Sequence, residues 1–420
     1  MRPRAAAPAL AALLVATLGV ACGTGARAGG SIDVGAVYPL TGPDRAGGRD
    51  ELRGVRLAAD IVNAEGGVRG RQIHLEPVDT PGTDAVPGAV QRLRARGVQF
   101  LLGSNGSEIS AAAGARAFDN GMMFWETGAV GEMVGDGRGR LAFRVSPSGL
   151  VLGSSGISFI ADQMAPRLHR DPGSLRFAVV NVNDNYGGTV AQGALQEIAR
   201  RHLRLVGRFR YPVSGPDAAA LVRRIAAVHP DVLFVASYIP DGVALNRELA
   251  RRHVPLVANI GTSSSYCMPE FGERLGSVAV GSFATDKPDG DSLNQQGLTP
   301  GGRALLRRAS AGYRARYHGD MDAPALAGFS AAWALFHDVM PRAPSLTAES
   351  VAGAARAVRM PMGSLPNGSG LDLSGPGTAQ PGSNLRALSV IWEWVGVRHR
   401  AVVWPPRYAT TSIQALPLEP

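Results

Sequence analysis

The sequence predicts an α/β protein made of two lobes, each built on a doubly wound parallel sheet. The chain has 420 residues, which is more than one compact core usually holds. Short apolar runs alternate with segments of helical periodicity four times before residue 146, and the same alternation then begins again. Strands that alternate with helices favour parallel sheets with helices on both faces, so two such series predict two lobes in tandem.

The first series begins with an apolar run at residues 32–37 that stops at the turn-forming segment 39–43. Apolar residues then recur at helical spacing from Leu52 and end at Gly66 and Gly67, a pair typical of a helix C-terminus. The remaining elements of this series are predicted as strands at 72–78, 98–102 and 122–125 and as helices at 85–96 and 110–120.

The second series supplies the other lobe, and the end of the chain is expected to return to both. Its helices are predicted at 153–168, 189–202, 217–228 and 243–253, and its strands at 177–182, 203–209, 232–236 and 256–260. Later elements are a strand at 277–283, helices at 303–317, 323–339 and 348–357, and strands near 388–394 and 402. We expect an N-terminal lobe of residues 31–146 plus about 281–362, and a C-terminal lobe of 147–280 plus about 363–420. Several crossings between lobes would form a hinge.

The N-terminus has the layout of an export signal. Arg2 and Arg4 precede a mostly apolar run that is too short to span a membrane well. Cys22 lies between small residues where bacterial lipoprotein signals are acylated, although Gly19 stands where such signals usually carry Leu. We predict a signal at residues 1–22 with lipidation of Cys22, and the alternative is an ordinary cleaved signal. The mature chain is then expected on the outer face of the cytoplasmic membrane or in the periplasm.

The net charge of +9 does not indicate nucleic-acid binding. The excess is arginine spread along the chain, with Lys287 as the single lysine, and the basic clusters have no interleaved aromatic residues. Cys267 is the only cysteine besides Cys22, so no disulfide framework is expected. A small-molecule partner is therefore more consistent with the sequence than a nucleic acid.

Four loops at the ends of predicted strands form the candidate ligand site. In open α/β sheets a ligand lies beyond the carboxyl ends of the strands, where helix N-termini present backbone amides. The candidate residues are Asn105 and Ser107, then Glu126, Gly128, Ala129 and Val130, then Tyr186, and finally Tyr238 with the hydroxyl-rich stretch that starts at Thr262. Glu126 could meet a ligand cation, and each tyrosine offers a ring face and a hydroxyl. Two loops come from each lobe, so a ligand between them would contact both.

Several of these segments resemble the leucine/isoleucine/valine-binding proteins of ABC importers. The most specific piece is residues 63–71, Asn-Ala-Glu-Gly-Gly-Val-Arg-Gly-Arg, and the similarity runs over roughly residues 31–285. The resemblance implies a type I periplasmic binding protein fold, a ligand held at a hinge, and permease subunits in the membrane as partners.

The resemblance also implies roles for particular residues. Ser107 and the segment 128–130 would hold a ligand carboxylate, while the two tyrosines would close from the other lobe. Three positions depart from the family pattern: Gly47 replaces an aromatic residue, Val130 replaces a threonine, and hydroxyls near Thr262 replace the acid that meets an ammonium group. The expected ligand is therefore a small amino acid-like, amide or carboxylate solute rather than a branched-chain amino acid in particular.

The sequence argues against a cofactor-dependent enzyme more strongly than against a stand-alone ligand sensor. A cofactor-dependent enzyme needs a Gly-rich fingerprint after a strand, a phosphate-binding loop, a nucleophile elbow or paired metal-binding histidines, and the sequence contains none of these. No catalytic residue, cofactor or metal is therefore expected. His169, His202, His229 and His253 fall near predicted helix ends and are interpreted as solvated cap residues. A stand-alone ligand sensor of the same fold remains the alternative.

Overall fold

The computed structural model describes Met1 and residues 29–133, 140–290 and 292–414. Its strands form a five-stranded sheet, a seven-stranded sheet and a small two-stranded sheet, with helices packed on both large sheets. This arrangement confirms the predicted α/β fold with two parallel-sheet lobes. Apart from Met1, the predicted export signal at residues 1–22, with Cys22, lies outside the described residues.

The first sheet has five parallel strands in the order β2-β1-β3-β4-β5. Its elements are β1 (Gly29–Tyr38), α1 (Arg45–Ala64), β2 (Arg71–Asp79), α2 (Val86–Ala95), β3 (Phe100–Gly103), α3 (Ser107–Asp119), β4 (Met123–Glu126) and β5 (Ala142–Arg144). Strand β5 was not predicted, because three residues carry too little periodicity to be recognised. The other elements match the predicted ones in type and order.

The second sheet has seven strands in the order β14-β13-β10-β9-β8-β6-β7. Its first elements are α4 (Gly149–Phe159), a π-helical continuation (Ile160–Met164), α5 (Ala165–Arg167), β6 (Arg176–Val182), α6 (Asn185–Arg200), β7 (Arg204–Tyr211), α7 (Ala218–Ala227), β8 (Val232–Ala236), α8 (Ile239–Arg251), β9 (Ala258–Thr262), α9 (Pro269–Leu275) and β10 (Phe283–Asp286). The strand predicted at 277–283 is wrong in position. Gly276 and Gly281 have φ of +61° and +84°, which an extended strand does not allow, so the strand begins only at Phe283.

The end of the chain contributes to both large sheets. Its elements are α10 (Pro300–Tyr317), α11 (Ala323–Trp333) with a π-helical continuation (Ala334–Val339), α12 (Ala348–Ala357), β11 (Arg359–Met360), β12 (Leu371–Asp372), β13 (Val390–Gly396) and β14 (His399–Trp404). Helix α11 packs on the first lobe, where Trp125 Nε1 donates to the carbonyl oxygen of Ala331 at 2.8 Å. It approaches α1 so closely that a Cβ on Gly54 would lie 2.0 Å from the carbonyl oxygen of Ala325.

Sheet membership differs from the expected lobe boundaries in two places. Strand β10 belongs to the second sheet, although the range 281–362 was expected in the N-terminal lobe. The segment near Gly382 continues the edge of the first sheet, although 363–420 was expected in the C-terminal lobe: Arg144 N donates to Gly382 O at 2.9 Å, and Asn384 N donates to Arg144 O at 3.1 Å. Both differences arise because hydrogen-bonded neighbours far along the chain decide where a short strand pairs.

The chain therefore passes between the two large sheets three times. The first passage is at residues 145–148, the second follows Asp286, and the third precedes Val390, where the antiparallel pair β13 and β14 completes the second sheet. Three chain segments that cross side by side between two lobes allow the lobes to rotate about one hinge.

The histidines interpreted as cap residues have that role. His169, His202, His229 and His253 each follow a helix, are exposed, and adopt φ between 47° and 55°. His318 does the same after α10 with φ of 58°. A left-handed residue closes the last helical turn, so these side chains serve the backbone. Within the described ranges, no helix is both long and apolar enough to cross a membrane.

Candidate functional site

The carboxyl ends of strands from both large sheets place the candidate residues near one another. Ser107 is the first residue of α3, and the segment 128–130 follows β4. On the other side, Tyr186 lies in the first turn of α6, Tyr238 is the N-cap of α8, and Thr262 ends β9. The two sides touch, because Nδ2 of Asn185, the residue before Tyr186, donates to the carbonyl oxygen of Ser107 at 3.2 Å.

The second-lobe side of the site is an aromatic and hydroxyl cluster. The Tyr186 hydroxyl lies 2.6 Å from Thr262 Oγ1 and accepts a hydrogen bond from Ser264 N at 3.2 Å. The ring centroids of Tyr186 and Tyr238 are 5.3 Å apart, and the Tyr238 hydroxyl donates to Asp184 Oδ2 at 2.7 Å. Burial raises the pKa of Tyr186 to about 12, and burial together with the charge of Asp184 raises the pKa of Tyr238. Both hydroxyls are therefore neutral donors at physiological pH.

Glu126, which the sequence suggested as a contact for a ligand cation, lies inside the protein. Its side chain is 0% exposed, and Oε1 accepts hydrogen bonds from the backbone amides of Gly128 and Ala129, each at 2.7 Å. Its other oxygen accepts from Ser104 N at 3.3 Å and from the Ser110 hydroxyl. The carboxylate therefore organises the loop after β4, and it occupies two of the amides that could otherwise bind an anion.

A second buried acid, Glu51 of α1, lies beneath the same loop and was not identified from the sequence. It accepts hydrogen bonds from the Thr127 hydroxyl and from Asn105 Nδ2, the latter at 3.1 Å, so Asn105 is also bound within the protein. Burial raises the pKa of Glu51 to about 7, and the charge of Glu126 adds to the effect. The signal that could have revealed Glu51 is its position beside Leu52 on the apolar face of α1.

Lys287 connects this region to the second sheet. It directly follows β10 and is buried, and its Nζ donates to the carbonyl oxygen of Gly128 at 2.7 Å. Its charge lowers the pKa of Glu51 and so opposes the effect of burial. The only lysine of the chain thus lies at the junction of the lobes. Nothing in the sequence around Lys287 indicated this position.

Other candidate residues on the first-lobe side hold the loop in place. The Ser107 hydroxyl accepts a hydrogen bond from Gly131 N at 3.0 Å. Val130 is buried, and its carbonyl oxygen accepts from Gly149 N at 2.6 Å, at the first passage between the lobes. These bonds fix the loop after β4 against α3 and the hinge.

Among the described residues, one group has the composition of a metal site. Ligand atoms of Asp33, His74 and Glu76 lie within 4.8 Å of one another on β1 and β2. Arg96 already supplies a positive charge there, with its Nη1 2.9 Å from Glu76 Oε2. This group is separate from the loops that contain the candidate ligand residues.

The comparisons with known proteins agree with this fold. A family model described as "Periplasmic binding protein" matches residues 31–385. The Leu/Ile/Val-binding protein homolog 8 of Brucella suis biovar 1 (strain 1330) is 29% identical over 268 residues, which is 63% of this chain and 66%, just under two thirds, of that protein.

Solved structures share the fold at low sequence identity. A leucine-binding protein of Thermotoga maritima superposes with a TM-score of 0.71 at 17% identity, covering 88% of this chain and 97% of that chain. A fatty acid ABC transporter substrate-binding protein of Thermomonospora curvata gives a TM-score of 0.69 at 16% identity, covering 91% and 93%. With the family model matching most of its length, this chain belongs to the periplasmic binding protein family.

Proposed function

We propose that this chain is the solute-binding subunit of an ABC importer and binds a small amino acid-like, amide or carboxylate ligand between its lobes. The observation that carries the proposal is the meeting of the α3 N-terminus and the loop after β4 with the cluster of Tyr186, Tyr238 and Thr262. Its relatives named for Leu/Ile/Val or leucine binding support an amino acid-like ligand, while the fatty acid-binding neighbour shares the same fold.

The ligand-binding residues that we propose lie on both lobes. Ser107, Asn105 and the segment 128–130 form the first-lobe side, and the tyrosine pair with Thr262 forms the other. Glu126 supports the first side from within, since its carboxylate is fully buried. Groups from both lobes can contact a ligand at the same time only when the lobes are closed. Ligand binding therefore shifts the open–closed equilibrium toward the closed form. We propose that permease subunits recognise that closed form.

We also propose that the protein is exported and binds its solute without chemical change. The charged and apolar layout of residues 1–22 supports export, and Cys22 is the proposed site of a lipid anchor. The buried carboxylates near the loop after β4 are held by hydrogen bonds within the protein, which supports a structural role for them.

The proposal is tested by ligand-induced stabilisation. A ligand that binds only the folded chain raises the melting temperature by mass action. The panel contains L-leucine, L-isoleucine, 4-methylpentanamide, 4-methylpentanoate and hexanoate, and we expect one chemical class to raise the melting temperature. Isothermal calorimetry then compares the wild type with Tyr238→Phe, which keeps the ring but removes the hydroxyl that bonds Asp184.

We expect Tyr238→Phe to weaken binding about tenfold, which corresponds to about 1.4 kcal/mol. The control is Tyr408→Phe, because the Tyr408 hydroxyl donates to Gly368 O at 2.9 Å, away from the candidate residues. No melting shift with any compound in the panel would contradict the proposed ligand classes. Equal losses in the two variants would contradict the placement of the site.

A further inference from the structure

Asn185 makes more hydrogen bonds across the lobe junction than any candidate ligand residue described above. It is the first residue of α6 in the second lobe, yet four of its hydrogen bonds reach the first lobe. Within α6, its Oδ1 also accepts from the Thr189 hydroxyl at 3.2 Å. Its backbone N donates to Glu108 Oε1 at 2.9 Å, and its Nδ2 donates to Ser107 O at 3.2 Å and to Glu132 O at 2.9 Å. Its Oδ1 accepts from Glu132 N at 2.9 Å. One side chain thus uses both its donor and its acceptor groups across the junction.

These bonds reach two separate segments of the first lobe. Ser107 and Glu108 begin α3, whereas Glu132 follows the loop after β4. The two segments are themselves joined, since Gly131 N donates to the Ser107 hydroxyl at 3.0 Å. Thr189, one turn further along α6, adds an acceptor for Glu132 N at 3.1 Å. Asn185 therefore binds both first-lobe segments of the proposed ligand site at once.

The bond to Glu108 has an electrostatic component as well. Glu108 is a carboxylate of the first lobe, and it accepts from the first backbone amide of α6 in the second lobe. A negative charge at a helix N-terminus is stabilised by the positive end of the helix dipole. Rotation of the lobes away from each other would break this contact together with the four made by Asn185 and Thr189 side chains.

We propose that Asn185 is a closing latch, a positioning residue that sets the fraction of closed protein and so tunes ligand affinity. The inference rests on the proposed function, because it concerns closure of the same site. All contacts of the latch are between protein groups. The apparent dissociation constant equals the intrinsic constant divided by the closed, binding-competent fraction, so loss of the latch weakens every ligand by the same factor.

The latch is tested by calorimetry on the full chain with every panel compound that raises the melting temperature of the wild type. Asn185→Ala is expected to weaken binding of each such compound about tenfold, by one common factor. Asn185→Asp, which loses both Nδ2 bonds and places a charge near Glu108 and Glu132, is expected to weaken binding more. The control is Asn183→Ala, at an exposed position two residues earlier whose side chain has no hydrogen bond among the described residues.

Each result supports or overturns the latch. Unchanged affinity in Asn185→Ala, or losses that differ between compounds, would overturn it while leaving the proposed function intact. If no compound binds the wild type, the proposed function fails, and small-angle X-ray scattering then decides. A larger radius of gyration for Asn185→Ala than for Asn183→Ala supports the latch, and equal radii overturn it.

Discussion

The buried carboxyl of Glu51 is expected to make the stability of this protein fall as pH rises from acid toward neutrality. Burial and the nearby charge of Glu126 raise the pKa of Glu51 from 4.5 to about 7 in the folded chain. Between pH 4.5 and 7 the folded state therefore holds a proton that the unfolded state has released. Stability falls with pH wherever the folded state binds more protons, so the loss begins near pH 4.5 and is complete above pH 7.

The substitution Glu51→Gln isolates this effect, because glutamine has the shape of the protonated acid and has no proton to lose. A pKa that rises from 4.5 to about 7 corresponds to about 3 kcal/mol, since each pKa unit is about 1.4 kcal/mol. At pH 4 the variant and the wild type should be similarly stable. At pH 8 the variant should be more stable by up to about 3 kcal/mol, while Asn105 and Thr127 keep hydrogen-bonding partners.

The assay is urea-induced unfolding followed by circular dichroism at a series of pH values from 2 to 8. A difference between Glu51→Gln and wild type that stays constant with pH would refute the reasoning. Glu197→Gln is the matched control of opposite sign. Hydrogen bonds from Arg200 and Arg201 lower the pKa of Glu197 to about 2, so this carboxylate stabilises the fold above pH 4.5. The control variant should therefore lose stability relative to wild type as pH rises from 2 to 5.

Four further substitutions test the packing and charges described above. Lys287→Met removes a charge that lowers the pKa of Glu51. In the same urea titrations, the loss of stability that accompanies ionisation of Glu51 should therefore occur at higher pH in this variant than in the wild type. Gly54→Ala should lower the free energy of unfolding by about 1–3 kcal/mol, since its Cβ would lie 2.0 Å from a carbonyl oxygen of α11. Gly353→Ala in α12 should raise the free energy of unfolding by about 0.5–1 kcal/mol, since no atom lies within 4 Å of the added Cβ. His202→Gly should gain about 0.5–1 kcal/mol in thermal unfolding, because glycine adopts the left-handed conformation without the steric cost. A loss of stability in His202→Gly would contradict the cap interpretation.

Much of the fold could be predicted because its elements are long and periodic. The strand at residues 232–236 and the helix at 348–357 have the predicted bounds. The failures are short or depend on distant partners. Strand β5 has three residues, and the segment near Gly382 pairs with Arg144 through contacts that no local pattern can indicate.

The sequence indicated which loops would meet at the lobe junction, but it did not indicate how their side chains are arranged there. Loops after parallel strands indicated Ser107, Tyr186 and Tyr238, which the structure brings to one junction. The sequence could not show that Glu126 turns inward to bond its own loop, since the backbone path of the next two to three residues, up to Ala129, decides this. Nor could it show the position of Lys287, because a single charge carries no periodicity.

The contact between α1 and α11 affects when the first lobe can fold during synthesis. Gly54 and Ala325 are in contact although some 270 positions separate them in the sequence. When the five strands of the first sheet have been synthesised, α11 has not, so one face of α1 still has no helix to pack against. Contacts of such high sequence separation slow folding, because a long loop must close before they form. The first lobe should therefore stay incompletely folded until about four-fifths of the chain has been synthesised. For the export that we propose, such a delay would keep the chain incompletely folded while it passes through a translocation pore.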